Sequence, residues 1–597
     1  MIDRATKLRL RRKARKQKKK LIGVGVEAEA GFEKLFVRRL ARLTNVKRFL
    51  FSWVFLMLFA LGGVMLQARS LSSYYLIEKP VPGGSFSEGV VGVFGNANPI
   101  FSTGAVDNAV SKLLFSGLMR HNQDNQLVGD LAKSIKSDEL GQVYTVVLRD
   151  NLFWHDGEPV QSDDVLFTYG LIQNPDVRSP LFTSWSGVKI SAVDERTIEF
   201  KLPDPLASFP YSLTNGIVPK HLLHEVEVTQ LRSAPFNSIS PIGSGPFKLR
   251  DVTADRTNPD DFTQTILFTS FDDYHLGQPK LERFSITTYR AEEEIVAALE
   301  SKNIDAAAGI EAYSDDLQGD VLQQYNIPLT GQVGVFFKSS VRGLDDKQVR
   351  QALTMATDRD EIRQALTFPV LASESPFLRN HFTYNPNVTQ LAYNQQKAIK
   401  TLEQAGWTLG EDGVRTKDKQ RLSFRLLAQA TSENHDISQH VQLQWRAIGV
   451  DLEVVLLDAN DLQAKASNHD YDLLLYGISL GNDPDIFAYW HSSQAKPGAG
   501  AWLNFSEYSA SIADEALESG RTRTDTQLRA IKYAPFLPQW RDDAPAVMLY
   551  QPRFLYIATR PIEGFEPEHI NSASDRYSNV HNWMIRRRNV QKTVDDL

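Results

Sequence analysis

The chain of 597 residues contains no cysteine. It therefore cannot form disulfides or thiolate metal sites, and it has no cysteine nucleophile. Motifs of the forms G-x-x-x-x-G-K-[ST], G-x-S-x-G and H-E-x-x-H are missing too, which removes common phosphate-binding, serine-hydrolase and zinc-protease signatures. A triad built from distant positions would leave no such spacing, so a hydrolase stays an alternative. The missing motifs favour binding over catalysis, and we expect no catalytic residue, cofactor or metal ion.

Acidic residues are scarce at the start of the chain. Residues 1–48 carry 17 of the 66 Lys and Arg residues but only 4 of the 72 Asp and Glu residues. The net charge of this segment is +13, against −19 for the rest of the chain. The basic run lacks the interleaved aromatic residues of a nucleic-acid binding segment, so we expect no nucleic-acid partner. A solvated basic tail in the cytoplasm is the better interpretation.

An uncharged run, Phe49–Leu66, follows the basic tail. Continued to Ala68 as a helix, it would extend over roughly 30 Å, which is the thickness of a bilayer core. The positive flank predicts a single-pass protein of the cell membrane with its N-terminus in the cytoplasm. A signal peptide cleaved near Gly62 or Gly63 is an alternative. We predict a tail at 1–48, a transmembrane anchor at 49–68, a linker at 69–84 and an extracytoplasmic remainder.

The remainder of the chain has the composition of a globular protein. Hydrophobic residues make up 42% of the sequence and charged residues 23%. The length is too great for one ordinary core, so at least two lobes are expected. Runs typical of strands alternate with amphipathic helical patterns, which predicts an α/β architecture.

The segment Tyr144–Ile172 illustrates this alternation. A β-branched run predicts a strand, and Asp156–Gly157 predicts a tight turn. Ser162 is expected at the N-cap of a helix, with Asp163 and Asp164 in its first turn. The sequence WHDGEPVQSDDV within this segment resembles the signature of the family 5 extracellular solute-binding proteins, which are peptide-, dipeptide- and nickel-binding receptors of ABC importers.

Further segments resemble the same family in the family's order. They include Lys112–Arg120, Pro241–Leu249 and Val333–Ile362, and the resemblance runs from about residue 86 to about residue 556. It implies a two-lobed periplasmic-binding-protein type II fold, in the large family 5 variant, with the ligand in the cleft between the lobes. The implied parts are lobe I at 85–338, lobe II at 339–551 and a return segment to lobe I at 552–597.

The resemblance also implies a function. The chain would capture a peptide-like ligand and deliver it to the permease and ATPase subunits of an ABC importer, without covalent chemistry. The alternatives are a membrane-tethered ligand sensor or an extracytoplasmic hydrolase on the same fold.

The loop Tyr476–His491 is the first candidate for ligand contact, because it follows a predicted buried strand. In peptide-binding relatives an aspartate in this region pairs with the free α-amino group of the ligand. The resemblance places Leu480 at that position. Either Asp483 or Asp485 takes over the role, or the ligand has no free amine.

Two other clusters supply candidate ligand contacts. Arg379, His381 and Tyr384 could receive a carboxylate or a sugar ring, although a surface loop explains them equally well. Polar residues that follow an apolar strand of the first lobe could offer hydrogen bonds to a ligand; they are Asn98, Ser102 and Thr103. By contrast, His155 and Asp156 are interpreted as scaffold, and His221 with His224 lacks a third metal ligand.

Overall fold

The computed structural model describes residues 13, 47–255, 262–310, 322–496 and 503–591. The segment predicted as a basic cytoplasmic tail lies outside the described residues, apart from residues 13, 47 and 48. The chain forms two compact units, one comprising Pro80–Arg586 and the other comprising residues 1–79 and 587–597.

The smaller unit contains the helix Lys47–Tyr75. The strands Leu76–Val81 and Arg586–Gln591 pair in a two-stranded sheet. Among the residues that the structure describes, no helix is both long and apolar enough to cross a membrane. The predicted transmembrane anchor at 49–68 is therefore not supported.

The larger unit is a two-lobed α/β structure, and a seven-stranded sheet organises its first lobe. The central strand, Ser85–Val91, runs parallel to both of its neighbours and buries residues on both faces, such as Glu88 and Gly89, as expected for a strand covered on two sides. In sheet order the strands are Gln323–Pro328, Arg553–Ala558, Ala306–Ala308, Ser85–Val91, Arg283–Tyr289, Thr263–Ser270 and Phe247–Asp255.

A six-stranded sheet organises the second lobe. Its strand Leu473–Ser479 begins with three buried leucines and leads directly into the loop that the sequence singles out. In sheet order the strands are Leu371–Ala372, Ala546–Gln551, Gly331–Phe337, Leu473–Ser479, Ser423–Gln429 and Asp451–Leu457.

The chain crosses between the two sheets twice, at neighbouring positions. Residues 329–330 join Gln323–Pro328 of the first sheet to Gly331–Phe337 of the second, and Pro552 makes the return crossing. The two crossings touch, since the N–H of Leu329 donates to the carbonyl of Pro552 at 3.0 Å. The structure therefore places the first crossing at residues 329–330, before the lobe boundary that the sequence predicts at 338. The reason is that residues 331–337 already pair within the second sheet. The other predicted lobe boundaries stay a proposal.

The WHDG segment follows the strand Val143–Leu148 of a separate four-stranded antiparallel sheet. Trp154 is fully buried, and the imidazole of His155 accepts from the N–H of Gly243 and donates to the carbonyl of Gly245. The following helix is capped by Gln161, one residue before the expected Ser162. The strands, in sheet order, are Ala132–Ser137, Val143–Leu148, Thr197–Lys201 and Lys189–Asp194.

Helices and two small antiparallel sheets, one of two strands and one of three, complete the lobes. The α-helices of the first lobe are Ala105–Leu114, Ser162–Gln173, Phe182–Trp185, Phe209–Ser212, Lys220–Leu223 and Glu292–Glu300. Those of the second are Lys347–Ala356, Arg359–Ala365, Gln395–Gln404, Ser432–Arg446, Ala459–Ser467, Phe487–Trp490, Ser511–Arg521, Thr526–Tyr533 and Phe536–Asp543. The short strands are Met119–His121 with Leu127–Gly129, and Thr408–Leu409 with Arg415–Lys417 and Gln420–Arg421.

Candidate functional site

A cavity of about 610 Å³ lies between the two lobes, and we call it the cleft. This volume falls in the range of about 300–1,000 Å³ that is usual for small-molecule sites. The first lobe contributes polar side chains from several elements, among them Lys112, Arg120 and Tyr211. Of the described part of the second lobe, one short loop, residues 480–485, lines the cleft with all of its residues except Pro484. A ligand in the cleft would therefore contact both lobes.

The loop 480–485 is held from behind by backbone and imidazole contacts. The N–H groups of Leu480 and Gly481 donate to the carbonyl of Thr330, which lies in the first chain crossing. The carbonyl of Gly481 accepts from Nε2 of His381 at 2.9 Å, because Nδ1 of that ring already accepts from the N–H of Leu378. Burial lowers the pKa of His381 to about 4, so its ring is neutral. His381 therefore positions the loop and does not line the cleft.

This buried histidine predicts a loss of stability in acid. In the unfolded chain His381 regains its ordinary pKa near 6.5, so only the unfolded state binds the proton between pH 6.5 and about 4. Stability should fall as the pH falls through that window, with His381 contributing roughly 3 kcal/mol in all. Urea unfolding at several pH values should show a shallower decline for His381→Gln, whose amide can still donate to Gly481. An unchanged decline would contradict this assignment.

Asp483 lines the cleft, but both of its carboxylate oxygens are engaged. They accept from the two terminal nitrogens of Arg529, each at 2.6 Å, and the two side chains are only 8% and 6% exposed. This is a bidentate buried ion pair within the second lobe. It argues against Asp483 as the partner of a ligand amine, because no carboxylate oxygen is left over. The sequence could not reveal this pairing, since the partner lies 46 residues further along the chain.

We therefore expect Asp483→Ala to act on stability and not on amine selectivity. Removing the carboxylate leaves the guanidinium of Arg529 buried without its partner, which costs about 3–5 kcal/mol in comparable buried pairs. Chemical denaturation measures the loss. Affinity for free-amine and N-acetylated forms of one peptide should fall by the same factor. A selective loss for the free-amine form would restore Asp483 as a ligand contact.

Asp485 also lines the cleft, and it joins the two lobes. Its Oδ2 accepts from Ser208 of the first lobe at 2.9 Å and from Arg521 of its own lobe at 3.1 Å. Two further hydrogen bonds cross between the lobes, from the N–H of Ala207 to the carbonyl of Arg521 at 2.9 Å and from Nδ2 of Asn482 to the carbonyl of Asn125 at 2.7 Å. An opening of the lobes by the hinge motion that is usual for two-lobed proteins would separate these contacts.

The three residues of the first lobe that were predicted to contact the ligand differ in their position relative to the cleft. Ser102 lines the cleft, whereas Thr103 is exposed outside it. Asn98 is buried and both ends of its amide are used, donating to Asn237 and accepting from the N–H of Ile100.

Arg379 and Tyr384 do not line the cleft. The side chain of Arg379 is 60% exposed and lies 3.9 Å from Glu374. The N–H of Tyr384 donates to the carbonyl of His381, so this residue belongs to the turn that carries the loop-holding histidine. For all of these residues a contact with ligand stays a prediction.

Several cleft residues were not singled out from the sequence. Lys112 and Arg120 lie in the segment Lys112–Arg120, which the sequence marked for its family resemblance only. Asn571 and Asp575 come from the return segment, and their positions follow a chain crossing that no local pattern encodes. The only signal in the sequence for these cleft residues was that Lys112 and Arg120 lie at the two ends of a mostly apolar segment.

The two histidines considered as metal ligands, His221 and His224, each have another polar partner. Nε2 of His221 lies 2.9 Å from a carboxylate oxygen of Asp156, and Nδ1 of His224 lies 3.0 Å from the carbonyl of Lys220. Within the described ranges, no group of three or more His, Cys, Asp or Glu side chains is arranged to hold a metal ion.

Comparison with known proteins finds a matching family and a similar relative. Residues 126–499 match the family described as bacterial extracellular solute-binding proteins, family 5 Middle. The oligopeptide-binding protein AppA of Bacillus subtilis is 27% identical over 521 residues, covering 85% of this chain and 93% of the relative.

Two solved structures extend the comparison. AppA of Bacillus subtilis in complex with a nonapeptide superposes with a TM-score of 0.69 at 25% identity, covering 85% of this chain and 100% of the other. NikZ of Campylobacter jejuni in complex with Ni(L-His) gives a TM-score of 0.70 at 25% identity, covering 84% of this chain and 99% of the other.

Proposed function

The chain belongs to the bacterial extracellular solute-binding proteins of family 5, and from this premise we propose that it captures a peptide-like ligand in the cleft and delivers it to an ABC importer. The observation that carries the proposal is the cleft itself. It is lined by both lobes, and the chain crosses between them at two adjacent points that can act as a hinge. A closed cleft buries its ligand, and the closed form is the state that a permease can recognise.

The relatives support a peptide as the ligand. The similar AppA is an oligopeptide-binding protein, and one of its structures contains a nonapeptide. The cleft of this chain is suited to the same class, because it offers hydroxyl, amide and backbone groups from both lobes around a roomy cavity. Hydrogen bonds to a peptide backbone would give affinity with broad tolerance of side chains.

The proposal describes a receptor and not an enzyme. Family 5 proteins bind solutes, and hinge closure needs no covalent step. Turnover of a bound peptide by the purified protein, lost on replacing one Ser or His of the cleft, would overturn this part of the proposal.

Ligand identification tests the proposed function directly. The full-length protein, purified in detergent, should release a small peptide that native mass spectrometry can identify. Titration calorimetry with that peptide should show saturable binding. Cells lacking the gene should lose uptake of the same labelled peptide while retaining uptake of a free amino acid. Binding without any effect on uptake would indicate a sensor, and failure to bind peptides would refute the proposal.

We further propose, from the sequence, that residues 49–68 hold the protein in the membrane with its larger unit outside the cytoplasm. The run is uncharged, and in the helix Lys47–Tyr75 large apolar side chains such as Phe51 and Phe59 are more than 70% exposed. Soluble proteins rarely leave so continuous an apolar surface uncovered. A topology reporter at residue 20 should give a cytoplasmic signal and one at residue 90 an exported signal. The reverse pattern, or a soluble protein after cell fractionation, would refute the anchor.

A further inference from the structure

Every described carboxylate that lines the cleft already has a partner within the protein. Arg529 occupies both oxygens of Asp483, as described above. The partners of the other three are His275 for Asp130 at 2.8 Å, Lys112 for Asp575 at 3.5 Å, and Arg521 with Ser208 for Asp485. A ligand ammonium group in the cleft would therefore have to share a carboxylate with one of these partners.

One cation of the cleft, Arg120, is less well matched than the carboxylates. Nη1 of Arg120 donates to the carbonyl of Ser578 at 3.1 Å, and a weaker contact of 3.5 Å reaches the carbonyl of His121. Among the described residues, no carboxylate oxygen lies within 4.0 Å of this guanidinium, and its buried Nε has no hydrogen-bond partner. Arg120 thus has donors to spare on a wall that the ligand reaches.

The neighbouring residue carries a second unused group. His121 lines the cleft, is only 7% exposed, and its Nε2 has no partner among the described residues. Its ring lies 6.0 Å from that of Tyr211, another cleft residue. Lys112 also lines the cleft, and its carboxylate contact among the described residues is the long one to Asp575, at 3.5 Å.

Closure of the lobes makes the incompletely matched charge of Arg120 unfavourable. When the lobes close, water leaves the cleft, and a guanidinium without a carboxylate in direct contact then loses solvation with little compensation. A carboxylate of the ligand would restore the balance, since arginine binds carboxylates with two parallel hydrogen bonds.

We propose that the cleft recognises a carboxylate of the ligand through Arg120, supported by Lys112 and His121, and that it does not require a free α-amino group. The inference rests on the proposed function and narrows it to peptides or peptide-like molecules that carry an anionic group. The source of that group is the chain terminus or an acidic side chain.

The test uses the full-length protein and four defined peptides. They are tetra-alanine, its N-acetyl derivative, N-acetyl-tetra-alanine amide, and the same amide with glutamate at the third position. Titration calorimetry should show that acetylation changes affinity by less than about threefold. Amidation should weaken binding at least about tenfold, as expected for the loss of a charged hydrogen-bonded contact. The glutamate-containing amide distinguishes the two sources, because it recovers affinity only if a side-chain carboxylate can reach the subsite.

Variants assign the effect to Arg120. Arg120→Gln should weaken binding of the acid at least about tenfold and leave the amide nearly unchanged, so that the two peptides bind alike. Arg120→Lys keeps the charge and should recover part of the discrimination. Arg283→Gln is the matched control, because Arg283 is exposed in the same lobe and has no role in the cleft. Thermal melting of each variant checks that it is folded.

The outcomes separate the inference from the function on which it rests. Equal affinity of the wild-type protein for acid and amide would overturn the carboxylate subsite while leaving the peptide receptor intact. Equal losses for both peptides in Arg120→Gln would remove Arg120 from recognition. Failure of all four peptides to bind would refute the peptide proposal and this inference together.

Discussion

Replacing Arg576 by Met should lower the free energy of unfolding by about 3–5 kcal/mol, the usual cost of leaving one member of a buried ion pair alone. Arg576 and Glu88 form an ion pair in which the two side chains are 2% and 0% exposed. Tyr577 and Tyr556 also donate hydroxyl hydrogen bonds to this carboxylate, at 2.6 and 2.9 Å. Without Arg576, the charge of Glu88 would keep only neutral partners in a dry interior.

The same pair should matter for binding. Glu88 lies on the central strand of the first sheet, and Arg576 lies in the return segment, 488 residues later. The neighbours of Arg576, Asp575 and Tyr577, line the cleft. Loss of the pair should therefore loosen one wall of the cleft as well as the fold, and peptide affinity should fall.

Urea unfolding and peptide titration check both effects. Arg283→Met is the control, since an exposed substitution should stay within about 0.5 kcal/mol of wild type. The double variant Glu88→Leu with Arg576→Met should be closer to wild type than Arg576→Met alone, because it leaves no unpaired charge. A cost below 1 kcal/mol for Arg576→Met would show that the pair is not a structural determinant.

Introducing an aspartate at position 480 should create selectivity for a free amine. Leu480 lines the cleft and is only 7% exposed, packed among apolar side chains of its lobe, so a carboxylate there would be poorly solvated and would gain from a ligand ammonium group. We expect Leu480→Asp to bind tetra-alanine at least about tenfold more tightly than its N-acetyl derivative, the factor that a close charge pair in an interface provides. The wild-type protein should barely distinguish the two peptides.

Leu480→Asn is the matched control, because it has the same shape as the aspartate without its charge. It should show no selectivity beyond that of the wild-type protein. Equal binding of both peptides to Leu480→Asp would mean that the amine end of the ligand lies elsewhere in the cleft. Selectivity for the free amine in the wild-type protein would contradict the view that its carboxylates are all committed.

The family could be predicted from local sequence, and the comparisons confirm it. The reason is physical, because Trp154, Gly157 and Asp164 lie in a turn and a helix start that follow one another closely in the chain. Trp154 is fully buried, and Asp164 accepts from the N–H of Gln161 at the helix cap. Such contacts span few residues, so their pattern survives as a readable signature.

The candidate site could be predicted only in part. The loop after Leu473–Ser479 was found because a buried strand ends there, and Leu480, Asp483 and Asp485 do line the cleft. Which carboxylates remain available could not be predicted. Arg529 and Ser208 reach this loop from helices and turns distant in sequence, and only their contacts show that the acidic side chains are committed.

The sequence by itself determined the solute-binding family, the two-lobed α/β class and the absence of thiol chemistry, since these depend on composition and on contacts between near neighbours in the chain. The tertiary structure decided which charges face the ligand. It paired Asp483 with Arg529, placed His381 behind the loop, and left Arg120 with no carboxylate oxygen within 4.0 Å among the described residues. The charge balance of the cleft depends on side chains from both lobes and from the return segment. These side chains meet only in the folded protein, so no local sequence pattern predicts the balance.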